Sequence, residues 1–345
     1  MHDGQARGGI LHHEDIEVGK PLMLGGKTVT KDEIVAFARK YDPQPLHLDE
    51  EAAKHSIVGG LCASGYHTCA IMMRMVVDGF LGHAASLGSP GVDEVRWLKP
   101  LRPGAEVRTR FTPLEARVLA SRPDVGISKV LVELINARDE VLANWLTNQL
   151  TRLRAPASAP VKTTAEKAGR NPLVSLWDDP AVTAQPYPDL FFEDRQIGQT
   201  TDIGRHTFTR DDIIGFARQF DPQPFHLDEE AAKASLFGGL CASGWQTASY
   251  FIRGVVTTRQ AANEAARARG VALATYGPSP GFRNLRWFKP VFVGDTIEYR
   301  TRVADKVDLK SRPDRGLLVS DVQGHNQKGE IVFAITSQML VQRRG

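Results

Sequence analysis

The chain has 345 residues, 42% of them hydrophobic and 24% charged, which is enough for two ordinary domains and is the composition of a globular protein. Its 43 basic and 40 acidic residues leave a net charge of +3 and are interspersed, so charge argues for neither nucleic acid nor a membrane surface as partner. The three cysteines, Cys62, Cys69 and Cys241, stand outside any zinc-ligand spacing and read as small buried thiols of a reducing compartment. With no apolar signal core after Met1, and with Arg74 and Asp78 interrupting the most apolar run, a cytoplasmic protein is expected.

Residues 1–13 read as a loose leader, with His12 and His13 exposed rather than ligating a metal. A first helix should start at Thr30, which has Glu33 three positions on in capping-box spacing, and Ile34, Phe37 and Ala38 share its apolar face. It must stop at Tyr41 or Asp42, because Pro43 drives the preceding residue out of the α region. Gln44 before Pro45 is restricted in the same way. Fully extended, the steps from Asp42 to His47 would cover roughly 16 Å, too far for both side chains to act on one small group, so a functional pair requires a bend here.

Residues 48–56 read as a short polar helix or turn capped by Asp49. Gly59-Gly60-Leu61-Cys62-Ala63-Ser64-Gly65 then enters a segment, 66–80, that is hydrophobic nearly all round and therefore buried. Strand-like runs follow at 92–98, 106–112, 127–136 and 140–152, with Ser121-Arg122-Pro123-Asp124 read as a hairpin turn. Residues 155–189 are rich in Pro, Ala, Thr and Ser and read as a linker.

The remainder spells the same order again. Residues 42–65 recur as 221–244, 179 positions on, with changes only at Leu46/Phe225, His55/Ala234, Ile57/Leu236 and Val58/Phe237. The later strands recur 190 positions on, at 282–288, 296–303, 317–326 and 331–342, so the second copy gains 11 residues around its long helix. A repeat of this length means tandem domains: 14–154 and 190–345. Each reads as an antiparallel sheet around one buried helix, an α+β architecture, and two such sheets would pair edges or pack side by side.

An Asp and a His around a proline bend are, taken alone, usually a helix stop and an exposed imidazole. Their recurrence with the same downstream glycine favours chemistry. The run Asp42-Pro43-Gln44-Pro45-Leu46-His47-Leu48-Asp49, repeated from Asp221 to Asp228, resembles the Asp-x-Asn-Pro-x-His-x-Asp signature of the MaoC-like, (R)-specific enoyl-CoA hydratase family of hotdog folds. The glycine-led apolar helix and the later Arg-Trp-x-Lys-Pro, at 96–100 and 286–290, strengthen the resemblance, which covers residues 14–152 and 193–342. Gln44 and Gln223 depart from the family's Asn, which would widen the pocket, and Ser64-Gly65 and Ser243-Gly244 stand where His-Gly is common.

The resemblance implies two tandem hotdog domains forming an intramolecular pseudo-dimer, with further homo-oligomerisation open. It implies an acyl-CoA thioester as substrate and no metal or redox cofactor. Asp42 with His47, and Asp221 with His226, would share acid–base work on a water. Gly65 and Gly244, at a helix N-terminus, would offer a backbone N–H to the thioester oxygen. Gln44, Gln223, Ser64 and Ser243 complete the candidate site, the serines reading first as helix caps rather than nucleophiles. Arg96, Lys99, Arg286 and Lys289 could meet coenzyme A phosphates, though solvated strand ends suit them better. The rival activity is thioester hydrolysis, for which 66–80 offers only Asp78 and 245–256 offers no carboxylate. A non-catalytic acyl-CoA-binding subunit is a third reading.

Overall fold

The capping signals and proline stops place the first helices as expected. The computed structural model describes residues 9–157, 174–178 and 184–344. In the first half, strand β1 (Leu22–Thr28) precedes helix α1 (Lys31–Tyr41), the single turn α2 (Pro45–Leu48) and the short α3 (Glu50–Lys54). The long α4 (Gly65–Gly79) and strands β2 (Gly91–Trp97), β3 (Glu106–Leu119), β4 (Arg122–Asn136) and β5 (Val141–Arg152) complete it. The second half repeats the order with β6 (Thr200–Thr207), α5 (Arg210–Phe220), α6 (Pro224–Leu227) and α7 (Glu229–Lys233). It ends with α8 (Gly244–Ala268), β7 (Gly281–Trp287), β8 (Thr296–Asp308), β9 (Arg315–His325) and β10 (Ile331–Gln342). Thr30 and Glu33 exchange both capping-box bonds, whereas Thr209 only accepts from the Asp212 amide. Asp49 and Asp228 cap α3 and α7 by accepting from Ala52 and Ala231.

The ten strands form one antiparallel sheet in the order β1-β3-β4-β5-β2-β7-β10-β9-β8-β6. Of the two arrangements open to a pair of such sheets, the chain takes edge pairing. At the central seam Val92 faces Leu285 and Val95 faces Phe282. Gly91 (φ 152°) and Gly281 (φ 145°) sit in this seam in a conformation that favours glycine. A Cβ there would lie 2.1 Å from the Leu285 carbonyl or 1.9 Å from that of Val95. One apolar core runs through both halves, from Leu24 and Met72 to Phe251 and Ile335. This is a double hotdog, each half an antiparallel sheet with a buried central helix. Cys62, Cys69 and Cys241 are free and buried, and burial pushes the thiols up to about 11, 12 and 12 respectively. Among the described residues no helix is long and apolar enough to cross a membrane.

The structure departs from the sequence reading in four places. Strands β1 and β6 escape it because Gly25 (φ 55°) and Gly204 (φ 86°) interrupt their alternation at register shifts. The first hairpin turns at Ala120 and Ser121, and Arg122-Pro123-Asp124 already belongs to β4; the second copy's Ser311-Arg312-Pro313-Asp314 lies in the β8–β9 turn region as expected. His13 is buried rather than exposed, because its ring occupies the space a side chain at Gly126 would need, with the ring 2.0 Å from an ideal Cβ there. Phe192 fills the matching place over Gly316. Much of the expected linker, 158–173 and 179–183, lies outside the described residues, as do leader residues 1–8. Its described part docks on β9: the Leu176 N–H donates to Gln323 Oε1 at 2.9 Å and Trp177 stacks on His325.

His67 on α4 is buried against Phe37 (ring centroids 4.5 Å apart), and its Nδ1 has no partner. Burial pushes this imidazole down to about 3, so it is neutral in the folded chain and charges more readily when unfolded. Its contribution to stability is therefore complete above about pH 6.5 and falls by about 1.4 kcal/mol per pH unit below that, toward its folded value. The second half has Gln246 here, donating to the Asp212 carbonyl at 2.8 Å. His67→Gln should make denaturant unfolding free energy less dependent on pH between 6.5 and 5. An unchanged slope against the parent chain would contradict this origin of acid sensitivity.

Candidate active site

The proline-restricted bend is a single helical turn, and it gathers the expected pair. Gln44 caps α2, the His47 N–H donates to the Gln44 carbonyl at 2.9 Å, and the His47 ring returns toward Asp42. His47 Nε2 lies 3.6 Å from Asp42 Oδ2, and His226 Nε2 lies 3.5 Å from Asp221 Oδ2. All four side chains are buried, Asp42 and Asp221 at 2% exposure. Such separations are too long for a good direct hydrogen bond but suit two groups that contact one water oxygen.

The partners decide the protonation pattern. His47 Nδ1 is 2.8 Å from the Cys62 carbonyl, and His226 Nδ1 is 2.7 Å from that of Cys241. A carbonyl only accepts, so Nδ1 carries the proton and neutral imidazole presents a bare Nε2. Burial pulls His226 below the ordinary histidine range, against the opposing pull of Asp221 and of its bond to Cys241. Each carboxylate is held on both oxygens. Gln44 Nε2 donates to Asp42 Oδ1 at 2.8 Å and Ser64 Oγ to Oδ2 at 2.6 Å. In the second half Gln223 and Ser243 do the same for Asp221 at 2.9 and 2.6 Å.

Ser64 and Ser243 are the expected N-caps, accepting from the Tyr66 and Trp245 amides at 3.2 Å, and their hydroxyls fix the acid as well. The Asn-to-Gln departure also acquires a role, since the longer amide reaches the carboxylate instead of merely widening the cavity. Gly65 and Gly244 open α4 and α8, where a first-turn N–H has no partner within the helix. The missing Cβ at each of them makes room for a tryptophan. A Cβ at Gly65 would be 2.3 Å from the Trp97 ring, and one at Gly244 equally close to Trp287.

Each dyad opens on a cavity shared between halves. Asp42, His47, Gln44 and Gly65 line one of about 490 Å³, walled across the seam by Ile252 and Met339. Asp221, His226, Gln223 and Gly244 line one of about 290 Å³, walled by Met73 and Trp145 of the first half. These opposite walls were invisible to a reading that took each copy separately. So were the two cysteine carbonyls, which no side-chain motif advertises. Arginines from each central helix brace the other half: Arg74 Nη1 donates to the Arg218 carbonyl at 2.8 Å, and Arg253 Nη1 to that of Lys40 at 2.7 Å. The basic residues considered for phosphate are paired: Lys99 with Glu140, Lys289 with Glu330, Arg96 with Glu94, and Arg286 with Asp93 across the seam. Asp78 is exposed and paired with Arg74.

A tandem hotdog chain with an acid–imidazole pair and a helix-leading glycine in each half defines the class. The MaoC like domain family matches residues 16–133 and again 193–316, and the chain belongs to that family. It is 30% identical over 127 residues to the YdeM protein of Bacillus subtilis, covering 36% of this chain and 88% of that one. It is also 30% identical over 128 residues to a 3-hydroxybutyryl-CoA dehydratase of Methylorubrum extorquens, covering 36% and 69%. Among solved structures, a MaoC domain protein from Chloroflexus aurantiacus superposes with TM-score 0.77 at 17% identity, over 99% of this chain and 100% of that one. A Mycobacterium tuberculosis protein described as a double hotdog does so at 0.69 and 14%, over 97% and 99%.

The tryptophan contact sets a test of the glycine. Gly65→Ala should destabilise the chain by about 1–3 kcal/mol, the usual cost of overpacking, because the Trp97 ring has to move. Equilibrium denaturation measures it, and a variant as stable as the parent would show that the ring does not dictate this position.

Proposed function

We propose that the chain is a hydro-lyase that adds water reversibly to a 2-enoyl-CoA, giving a 3-hydroxyacyl-CoA, at two sites. The observation that carries this reading is the duplicated geometry: a buried carboxylate and a bare imidazole nitrogen, each held by fixed partners, converging on a cavity beside a helix-leading glycine. The family membership and the dehydratase among the relatives support the same chemistry.

In this mechanism a water sits beside the pair, on the cavity side, and hydrogen-bonds to both Asp42 Oδ2 and His47 Nε2. As its oxygen bonds to the β-carbon, one proton passes to the dyad, and the electron pair of the α,β double bond moves through the α-carbon toward the thioester oxygen. The Gly65 N–H and the positive end of α4 stabilise that oxygen, an effect typically worth on the order of 10²–10³-fold in rate. The dyad then returns the proton to the α-carbon, so hydroxyl and hydrogen both come from one water and no metal or redox cofactor enters. Gln44 and Ser64 act as positioning residues by fixing the acid. Asp221, His226, Gly244, Gln223 and Ser243 play the same parts in the second site. Thioester hydrolysis draws no support from Asp78, which faces solvent in an ion pair.

Loss of enoyl-thioester absorbance, measured alongside free thiol release, tests the reaction: absorbance should fall without thiol appearing. With a panel of enoyl-CoAs, His47→Ala and His226→Ala should each retain appreciable hydration, and the double variant should retain none. Thiol release matching substrate loss would assign the chain to the thioesterases. Complete loss in either single variant would leave one working site.

A further inference from the structure

The two cavities differ at their inner ends. The C-terminal site runs from exposed Leu236 and Phe288 inward to Leu81, Phe111, Val132 and Trp145, with Thr147 and Gln149 also in its walls and no charged side chain at that end. The N-terminal cavity runs from exposed Ile57 and Leu98 past Tyr66 and Trp97 to a further space of about 130 Å³. The two spaces share Tyr66, Trp97, Ile252, Arg259, Tyr276 and Met339 as walls. The repeat shows what changed. Phe80 corresponds to Arg259 at the 179 offset, and Phe111 to Thr301 and Val130 to Ser320 at the 190 offset; in the other direction Ser128 and Gln149 correspond to Leu318 and Met339, so the one charge gained is that of Arg259.

The inner space is lined by two guanidinium groups and one carboxylate, those of Arg195, Arg259 and Asp189. Arg259 Nε lies 3.3 Å from Asp189 Oδ1, and its Nη2 donates to Gln44 Oε1 at 3.3 Å. Asp189 Oδ2 accepts from Asn263 Nδ2 at 2.7 Å, while its Oδ1 faces Arg259 without a hydrogen bond, so one carboxylate stands against two guanidinium groups. Arg195 is 8% exposed, lies with its guanidinium over the Tyr187 ring, and pairs with no carboxylate among the described residues. Its Nε and the Tyr276 hydroxyl are buried without hydrogen-bond partners. A buried cation without an anion and two unmade donor bonds each cost free energy that a bound acceptor would recover. Coenzyme A has to stay connected to solvent, so the thioester enters at the Ile57 and Leu98 mouth and the far end of the acyl chain points toward Arg195.

We infer that the Asp42/His47 site takes enoyl-CoA thioesters whose acyl chain ends in a carboxylate, while the Asp221/His226 site takes plain alkyl chains. The assignment rests on the hydratase reading. The terminal carboxylate accepts from Arg195 Nε and the Tyr276 hydroxyl and balances the excess positive charge, whereas an alkyl end would leave both donors unpaired.

The test pairs two six-carbon substrates, hex-2-enoyl-CoA and 2,3-dehydroadipyl-CoA. His226→Ala, which leaves only the N-terminal site, should favour the dicarboxylic substrate by at least about tenfold in kcat/KM, the scale expected when a site built for a polar group meets an apolar one. His47→Ala should favour the alkyl substrate. In the His226→Ala background, Arg195→Gln should erase the preference while keeping the Arg259–Asp189 pair, and Arg259→Phe should move it toward that of the other site. Equal preferences in the two single variants, or a preference indifferent to Arg195→Gln, would overturn the inference. If neither the parent chain nor either single variant hydrates any enoyl-CoA, the hydratase reading itself fails. Calorimetric binding to the double variant His47→Ala/His226→Ala then decides the pocket separately. Adipyl-CoA should bind more tightly than hexanoyl-CoA at one site per chain, and Arg195→Gln should remove the difference; equal affinities would dismiss the carboxylate pocket.

Discussion

The seam between β2 and β7 is the constraint on which the rest of the molecule depends. Pairing these edges leaves neither half with an open strand at its centre, which would otherwise invite association with another chain. It also sets the register that brings each cavity against the other half's central helix. Gly91 and Gly281 permit this approach because any side chain there would strike the facing carbonyl. The backbone N–H of Trp97 donates across the seam to the Pro280 carbonyl and that of Trp287 to the Pro90 carbonyl, so the residues whose rings fix Gly65 and Gly244 are themselves held by the partner half. A half taken alone would keep its acid and imidazole but lose the far wall of its cavity.

The same dependence reaches the dyads. Asp42 follows the last turn of α1, whose carbonyl ends carry partial negative charge. Arg253 of α8 donates to the Arg39 and Lys40 carbonyls at 3.2 and 2.7 Å and so holds that turn from the opposite half. Arg74 does likewise for the turn before Asp221. Two nearly dry carboxylates are tolerable only because each accepts from an amide and a hydroxyl, bonds to a charged group that contribute about 1.5–3 kcal/mol apiece. Burial and fixed partners together keep imidazole and acid in one relation, so the geometry is set before any substrate arrives.

Much of this was legible in the sequence because it is local. Thr30 and Glu33, the Asp42-Pro43 stop, the Asp49 cap and the all-round apolar α4 each obey rules that act within a few residues. The 179-residue repeat turned an ambiguous Asp/His pair into a candidate site. What escaped is long-range or glycine-broken. Strands β1 and β6 lack clean alternation at Gly25 and Gly204. His13 looked like leader because nothing near it announces Gly126, over a hundred positions away. The Ser64 cap was readable from spacing, but its bond to Asp42 was not, since that requires the α2 bend and the start of α4 to meet in space. The identity of the opposite walls, Ile252 and Met73, follows only from the seam.

The repeat also explains how two sites in one chain can diverge. In a dimer of identical chains, any substitution in the wall alters both sites together. Here α8 continues to Ala268 while α4 stops at Gly79, and the added turns reach only the first site. Gln260 Nε2 donates to the Pro43 carbonyl at 3.0 Å, tying that extension to the bend between Asp42 and His47. Arg259, one residue earlier, is linked to Asp42 through the single amide of Gln44. Its counterpart Phe80 packs on Phe111 with ring centroids 4.5 Å apart, which puts aromatic rings rather than a charge beside the second site. A guanidinium is hard to bury unless it has an acid and a carbonyl-type acceptor close by, and Asp189 and Gln44 supply both without disturbing the second site. Covalent duplication thus lets a buried charge stand in one cavity and not in the other, while the same acid and imidazole line each.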